Sequence, residues 1–354
     1  GAVDEYRIER RIGATGSFAD HDTVAAGSLA YQDIGLAANT QYFYRIEACN
    51  TGGCSAFSST AQATTLPDPP GAPSGLQADP VAGSPTTIDL QWTASTGTVT
   101  EYRIERRIGA GGEFVDRDIV AGTTISYRDT GLTASTQYVY RVEACNSGGC
   151  SSTFSNEASA TTNPNPPGTP TNLAVSAVDS SSSAMELGWD ASSGVVGEYR
   201  IERRTATGSF AQFATVPAGT LTYQDAGLTA STQYFYRVRA CNAGGCSSYG
   251  NEAQASTNPA APGAPSVLAA APVAGSSSAI DIVWSPAVGV VVEYRIERRT
   301  GAEAFARVDT APAGTTSYQD IGLTAGTLYV YRVAACNAGG CSSFTSEAEA
   351  TTNP

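Results

Sequence analysis

Apolar and polar residues alternate along most of the chain, and the clearest case is the stretch Tyr42–Ser55. Aromatic and aliphatic residues occupy every second position from Tyr42 to Ala48, with polar residues among those between them. A period of two with aromatic and β-branched side chains predicts a half-buried β-strand. The segment Asn50–Gly53 follows at once, and Asn and Gly tolerate the positive φ of tight turns. The pattern therefore predicts a strand, a short loop and a returning strand.

The same stretch recurs three more times, so the chain is an array of repeats. Its first cysteines, Cys49, Cys145, Cys241 and Cys336, are 96, 96 and 95 residues apart. A period of this length corresponds to one compact domain per repeat. The predicted domains are residues 1–66, 67–163, 164–258 and 259–354. Proline-rich linkers join them, and proline keeps a linker extended, which predicts a semi-rigid rod.

Short strand patterns fill each repeat. Seven of them, separated by Gly, Ser and Asn turns, predict an all-β immunoglobulin-like sandwich in each of residues 67–163, 164–258 and 259–354. In the second repeat the first two strands lie around Leu76 and at Ile88–Trp92. The first repeat begins at the third strand, and its later strands are predicted near Phe18 and at Tyr31.

The incomplete first repeat predicts an exposed core. A sandwich without its first two strands leaves half of its apolar interior uncovered, which small domains do not tolerate. Two interpretations follow: the natural chain extends upstream, or another chain supplies the two strands by strand addition.

The two cysteines of each repeat flank the predicted loop at facing positions. Cross-strand Cα separations of about 4.5–5.5 Å suit a disulfide. The predicted pairs are Cys49–Cys54, Cys145–Cys150, Cys241–Cys246 and Cys336–Cys341. Two alternatives stay open: zinc, which would need ligands beyond two thiols, and disulfides between neighbouring molecules. Paired cysteines indicate an oxidising compartment and therefore a secreted or cell-surface protein.

The charge balance is acidic. The chain has 33 Asp and Glu against 20 basic residues, a formal net charge of −13, and every basic residue is arginine. This balance argues against nucleic acid as a partner, and the sequence has no apolar run of transmembrane length. Outward-facing charges, such as Arg7, Glu9 and Arg45, are predicted to pair across adjacent strands. A second interpretation is that this stripe, with Phe43 and Phe235, docks neighbouring rods.

No motif for catalysis, a cofactor or a metal emerges from the sequence. The only histidine, His21, has Arg117, Phe213 and Val308 at its place in the other repeats, so we interpret it as a solvated loop residue. The acidic pairs Asp20/Asp22 and Asp116/Asp118 offer too few oxygens for calcium, which needs six or more. We therefore predict a protein that is not an enzyme and has no cofactor.

The order of motifs resembles that of the fibronectin type III domain. The motifs are Pro-x-x-Pro-x-x-Leu, a Trp, Tyr-Arg-Ile-Glu, Tyr-x-Tyr-Arg-Val-x-Ala-x-Asn-x-x-Gly and a closing Ala-Thr-Thr. The resemblance implies a buried second-strand tryptophan at Trp92, Trp189 and Trp284. It also implies a tyrosine corner at Tyr42, Tyr138, Tyr234 and Tyr329. The cysteines depart from the commonest family pattern and resemble a version in large bacterial secreted or surface proteins. The adhesive Arg-Gly-Asp tripeptide is absent, so integrin-type binding does not carry over.

The function predicted from these features is structural. A uniform, disulfide-pinned array without catalytic motifs predicts an extracellular rod, stalk or filament that associates end to end or side by side. The alternatives are spacer or binding modules within a larger secreted polysaccharide-degrading enzyme, and a surface adhesin. A carbohydrate or protein ligand remains unidentified at this stage.

Overall fold

The computed structural model describes all residues from Gly1 to Pro354, and its regular elements are β-strands. It contains no helix that is long and apolar enough to cross a bilayer. The chain divides into two compact units, Gly1–Pro164 and Asn165–Pro354. The prediction of tandem all-β sandwiches with an incomplete first member is confirmed.

The first unit contains one open sheet followed by one sandwich. The first repeat comprises β1 (Glu5–Ile12), β2 (Ala19–Ala25), β3 (Gln41–Asn50), β4 (Gly53–Cys54) and β5 (Ala61–Thr64). These strands form an antiparallel sheet in the order β2-β1-β3-β4, with β5 also paired to β3. The second repeat comprises β6 (Ser74–Pro80), β7 (Ile88–Thr93), β8 (Glu101–Ile108), β9 (Val115–Ala121), β10 (Ser126–Asp129), β11 (Gln137–Asn146), β12 (Gly149–Cys150) and β13 (Ala158–Thr161). Its two sheets have the orders β10-β7-β6 and β12-β11-β8-β9, with β13 paired to β11.

The second unit repeats this sandwich twice. The third repeat comprises β14 (Thr171–Ala177), β15 (Ala184–Asp190), β16 (Glu198–Thr205), β17 (Ala211–Pro217), β18 (Thr222–Ala226), β19 (Gln233–Asn242), β20 (Gly245–Cys246) and β21 (Ala253–Ser256). The fourth comprises β22 (Leu268–Pro272), β23 (Ala279–Trp284), β24 (Glu293–Thr300), β25 (Ala306–Pro312), β26 (Ser317–Ile321), β27 (Leu328–Asn337), β28 (Gly340–Cys341) and β29 (Ala348–Thr351). Each sandwich therefore has the seven predicted strands and one two-residue strand after the hairpin loop.

The core of each sandwich lies between its three-stranded and five-stranded sheets. In the second repeat Ile88, Leu90 and Trp92 alternate inward along β7 and are almost fully buried. They pack against Tyr102 of β8, whose ring lies edge-on to Trp92 with the centroids 5.5 Å apart. Period-two alternation places the apolar residues of one strand on a single face, so the sequence pattern fixes this core.

A β-bulge recurs in the five-stranded sheet of every repeat. In the first repeat the pairing of β1 with β2 slips between Ile8 and Glu9, which leaves His21 without a partner across the ladder. The same slip occurs after Ile104, Ile201 and Ile296. The interpretation of His21 as a solvated loop residue is wrong: it lies on β2 with its side chain 19% exposed, because the bulge turns it inward.

The first repeat has no three-stranded sheet, and this changes its local structure. The predicted strand at Tyr31 is not formed, although its counterparts β10, β18 and β26 are strands in the other repeats. Those three pair with β7, β15 and β23 respectively, and the first repeat contains no equivalent of that partner. A strand needs a neighbour for its backbone hydrogen bonds, so residues around Tyr31 stay irregular.

Candidate functional site at the domain junctions

The hairpin between β11 and β12, and its counterparts, places the eight cysteines in pairs. Disulfides join Cys49–Cys54, Cys145–Cys150, Cys241–Cys246 and Cys336–Cys341, with Cα–Cα distances of 3.9–4.0 Å. These distances are shorter than the separation expected for a facing pair. A carboxylate lies close to the sulfurs in two repeats, Glu47 and Glu143. Both sulfurs are already bonded to each other there, so they offer no thiolate to a metal ion.

An asparagine follows the first cysteine of every hairpin, and in the second, third and fourth repeats it fastens the loop to the linker before it. In the second repeat the Asn146 amide group donates to the carbonyl oxygens of Asp68 in the linker (2.7 Å) and of Thr98 (2.9 Å). Its Oδ1 accepts a bond from the backbone N–H of Gly148 at 2.7 Å. Asn242 and Asn337 make the same three bonds in the second unit. One side chain therefore orders both the loop and the approaching linker.

The two loop positions require glycine for different physical reasons. A Cβ on Gly148 would overlap the carbonyl oxygen of Pro67, and a Cβ on Gly339 would overlap that of Pro259, because the linker lies directly on the loop. The second glycine, such as Gly149, has a φ of +134°, which L-residues with side chains rarely adopt. Gly52 of the first repeat has no linker above it and only Asn50 Oδ1 nearby.

The junction between the third and fourth repeats is fastened from both sides. Asn258 donates to the carbonyls of Val178 and Ser181 in the third repeat, at 3.0 and 3.1 Å. Two residues later, the carbonyl of Ala260 accepts the bond from Asn337 of the fourth repeat at 2.7 Å. A direct backbone bond also runs from Ser180 N–H to the Ala338 carbonyl at 3.0 Å. The linker is held by hydrogen bonds as well as by its prolines.

Proline alone was the basis for the predicted stiffness of the linkers, and the structure adds the hydrogen bonds of these asparagines. The signal was present, because Cys-Asn-x-Gly-Gly-Cys is identical in all four repeats apart from one position. It was interpreted as turn chemistry, which is correct for the backbone. The side-chain contact to a linker about 80 residues earlier cannot be deduced from local spacing.

A buried carboxylate lies beneath the bulge of each repeat. Asp129 is fully buried and accepts bonds from Arg106 (2.8 Å), Arg117 (2.7 Å) and the Tyr140 hydroxyl (3.0 Å). In the first repeat Asp33 contacts Arg10, His21 and Tyr44 in the same way. In the third and fourth repeats the bulge residue is apolar, and one arginine and one tyrosine remain as partners of Asp225 and Asp320. Buried charges require such pairing to be tolerated.

Burial and the adjacent carboxylate raise the pKa of the tyrosine in this network. The pKa is raised to about 12 for Tyr44 and more strongly for the fully buried Tyr140, Tyr236 and Tyr331. Burial is the largest cause in each case, since it disfavours the charged phenolate. These phenols stay protonated at a pH at which tyrosines of an unfolded chain ionise, near pH 10.

Stability is therefore expected to fall above pH 10. The raised pKa means that the contribution is complete below pH 10 and is lost as the pH rises toward the folded-state pKa. We expect the free energy of unfolding to drop by up to about 1.4 kcal/mol per pH unit for each buried tyrosine. Urea denaturation between pH 9 and 11 measures this slope. Tyr140→Phe should lessen it in the second repeat, where burial also raises the pKa of Tyr127 to about 12, and an unchanged slope in that variant would contradict the assignment.

The outward face of the five-stranded sheet carries stacked arginines. Arg141 lies between the rings of Phe114 and Phe154, 4.1 and 3.9 Å from their centroids, and bonds to Glu105 at 2.6 Å. Arg45, Arg237 and Arg332 have the same surroundings in the other repeats. The outward aromatics Phe43 and Phe235 are themselves covered by Arg11 and Arg204, at 4.4 and 3.9 Å. The predicted cross-strand pair of Glu9 with Arg45 is present, whereas Arg7 instead pairs with Glu5 on its own strand. The aromatic layers around these arginines are not evident from the sequence pattern.

The tyrosines of the motif Tyr-x-Tyr-Arg hold the loop that precedes them. The Tyr138 hydroxyl oxygen accepts a bond from the backbone N–H of Thr133 at 3.0 Å. The hydroxyls of Tyr42, Tyr234 and Tyr329 accept the equivalent bonds, at 2.9–3.1 Å. Trp92, Trp189 and Trp284 lie in the three sandwich cores with 3–5% exposure. Each of these tryptophans packs against a buried tyrosine of the facing sheet.

Comparison with protein families agrees with this geometry. The family model of the fibronectin type III domain matches residues 71–161, 168–256 and 263–351, which is more than half of the chain. The chain belongs to the fibronectin type III family. The bonds of Tyr138, Tyr234 and Tyr329 are the tyrosine corners of these domains, each of which also contains a disulfide-closed Cys-Asn-x-Gly-Gly-Cys hairpin.

Several proteins that contain related fibronectin type III repeats are similar in sequence. Exoglucanase B of Cellulomonas fimi is 36% identical over 309 residues, which is 82% of this chain and 26% of that protein. Chitinase A1 of Niallia circulans is 33% identical over 51% of this chain and 24% of its own length. Mouse Usherin is 28% identical over 96% of this chain and 6% of its own length. The chain thus spans about a quarter or less of these relatives.

Proposed function

We propose that this array is a non-catalytic, semi-rigid spacer that works outside the cytoplasm. The observation that carries the proposal is the fastening of linker to hairpin by Asn146 and Asn337, with the loop glycines beneath. A flexible tether needs no such contacts, since a glycine- and serine-rich linker is sufficient. Four disulfides support an oxidising location, because they persist outside the reducing cytosol.

The relatives favour a spacer over a self-sufficient filament. Two of them are named for acting on glucan and on chitin, and the similar region is about a quarter of each. Repeats that occupy a minor part of such proteins are suited to holding other domains apart. We propose the same role here, in a larger secreted polysaccharide-degrading enzyme or a surface protein, with the domain limits 1–66, 67–163, 164–258 and 259–354.

Small-angle X-ray scattering of the intact chain tests the proposal. Each ten-residue strand such as β27 spans about 33 Å, so four repeats end to end would reach roughly 130 Å. Such a rod has a radius of gyration of about 38 Å, whereas a compact globule of this length has about 20 Å. A value near 20 Å, or a scattering profile typical of freely jointed domains, would refute the semi-rigid spacer.

A filament is the second candidate, and the same samples address it. The stacked arginine layers give every repeat a similar outward surface, which could associate side by side. A molecular mass that rises with protein concentration under oxidising conditions would favour the filament. A constant monomer mass would leave the spacer as the proposed function.

A further inference from the structure

The outer face of the five-stranded sheet carries a pair of facing residues whose charges differ between the second and third repeats. In the second repeat Arg103 lies directly opposite Glu143 on the neighbouring strand, whereas in the third Arg200 lies directly opposite Arg239. Opposite charges stabilise such a pair across antiparallel strands, and like charges destabilise it. At the same place, therefore, the second repeat has a carboxylate where the third has a guanidinium group.

The carboxylate of Glu143 has no ion pair or hydrogen bond within the chain. Arg103, its neighbour across the ladder, bonds instead to Glu101 of its own strand at 2.9 Å. Burial raises the pKa of Glu143, and the carboxylates of Glu105 and Asp116 raise it further against the opposite effect of Arg103. A positive charge brought to this face from outside would therefore relieve an unfavourable concentration of negative charge.

Arg239 is the matching unpaired cation of the third repeat. It makes no ion pair or hydrogen bond within the chain, and its Nε atom is buried without a partner. Its guanidinium group lies 4.8 Å from the centroid of the Tyr249 ring, so stacking holds it in place. The carboxylates of this face, Glu198 and Glu202, are already bonded to other arginines at 2.6–2.7 Å. A carboxylate from outside would supply the charge-assisted hydrogen bonds that this arginine lacks.

We propose that two copies of this chain associate side by side through these two faces. The outer face of the second repeat of one copy meets that of the third repeat of the other, with Glu143 against Arg239. Both residues hold the same position on similar sheets, so each face offers the charge that the other lacks. Such complementarity selects the partner and the register of a contact.

The overall charge of the chain sets the conditions under which this contact forms. The formal net charge of −13 repels one copy from another over long distances. At an ionic strength of about 0.15 M, charges more than about 8 Å apart are largely screened, whereas a close ion pair is screened less. We therefore expect association at this ionic strength and its loss at about 1 M salt, where screening reaches contact distance.

Charge reversal in the full chain, followed by sedimentation equilibrium, tests the contact. We expect the mean mass of the unaltered chain to rise with concentration, and the Kd to increase at least tenfold in Glu143→Arg and in Arg239→Glu, because like charges then meet. Each substitution reproduces a pair that another repeat already contains, so both variants should fold. A rise in mass alone is also expected of a filament, so the reversed variants decide whether these faces are responsible.

Restored attraction gives the sharpest result. The double variant, with Glu143→Arg and Arg239→Glu together, should associate again because the pair is rebuilt with reversed polarity. An equimolar mixture of the two single variants should also associate, although each alone does not. If neither the double variant nor the mixture regains association, the two residues do not meet and the proposal is wrong.

Two control variants separate this contact from an effect of net charge. Glu47→Arg in the first repeat and Arg307→Glu in the fourth change the net charge by the same amounts, at residues outside the proposed contact. Both should associate as the unaltered chain does. Equal losses in the control and contact variants would overturn the proposal, as would an unaltered chain that stays monomeric at every concentration.

The proposal goes beyond the spacer function and does not rest on it. Scattering from the monomeric Arg239→Glu chain measures stiffness without any contact between copies. A flexible monomer would refute the semi-rigid spacer and leave the proposed contact untouched, whereas a stiff chain that never associates would do the reverse.

Discussion

Replacing Asp129 by asparagine is expected to lower the free energy of unfolding of the second repeat by about 3–5 kcal/mol. The carboxylate is fully buried and holds two guanidinium groups, Arg106 and Arg117. The neutral amide keeps the shape of the side chain but leaves two positive charges without a counter-charge. Hydrogen exchange of β8 and β11 reports on this repeat alone and measures the loss.

Two further variants show how much of the expected loss in unfolding free energy comes from burial of the carboxylate and how much from the loss of an ion pair alone. Asp89→Asn removes the partner of Arg128 on the outer face of the three-stranded sheet, where both side chains are well exposed. Exposed pairs contribute little, so its effect should be far smaller. Asp225→Asn should fall between the two, since only Arg203 is its cationic partner. Equal losses for Asp89→Asn and Asp129→Asn would contradict the importance of the buried network.

Substitution of alanine for the first loop glycine is expected to free the linker. In Gly148→Ala and Gly339→Ala the new methyl group would overlap the carbonyl oxygen of Pro67 or Pro259, so the linker must move away. That movement also breaks the bond from Asn146 to Asp68, or from Asn337 to Ala260. Strain and lost hydrogen bonding together should cost about 2–4 kcal/mol at the junction.

The first repeat supplies the matched control for this experiment. Gly52→Ala changes the same residue of the same loop, but no linker lies above it, so stability should be nearly unchanged. Scattering from Gly339→Ala should show greater flexibility than the unaltered chain, with faster hydrogen exchange at residues 260–263. A rigid Gly339→Ala chain would show that the contact between loop and linker does not set the stiffness.

Local patterns were sufficient to predict most of the fold. Period-two alternation located the strands, and the recurrence of the cysteines located the repeats, because both depend on residues close together in the chain. Tyr31 is a position at which the local pattern predicts a strand that the structure does not contain. Its own sequence favours a strand, as at Tyr127, but it lacks the neighbouring strand that would complete its hydrogen bonds.

The side-chain contacts of the candidate site were harder to predict from the sequence than the strands. The sequence predicts a solvated loop residue at His21 because the other repeats have Arg117, Phe213 and Val308 at its place. The bulge that turns it toward Asp33 arises from the register of β1 and β2, which is a property of the paired strands. Likewise, Asn146 meets Asp68 only after the sandwich has formed, since 77 residues lie between them.

The bulge also bears on how such an array assembles correctly. Tandem domains with nearly the same sequence are prone to exchange strands with one another as they fold. The residue that the bulge directs inward is different in each repeat: His21, Arg117, Phe213 or Val308. A strand that entered the wrong domain would bring a mismatched side chain to the buried carboxylate, for example Val308 in place of Arg117 beside Asp129. A different bulge residue in each repeat would therefore disfavour exchange of this strand between neighbouring domains.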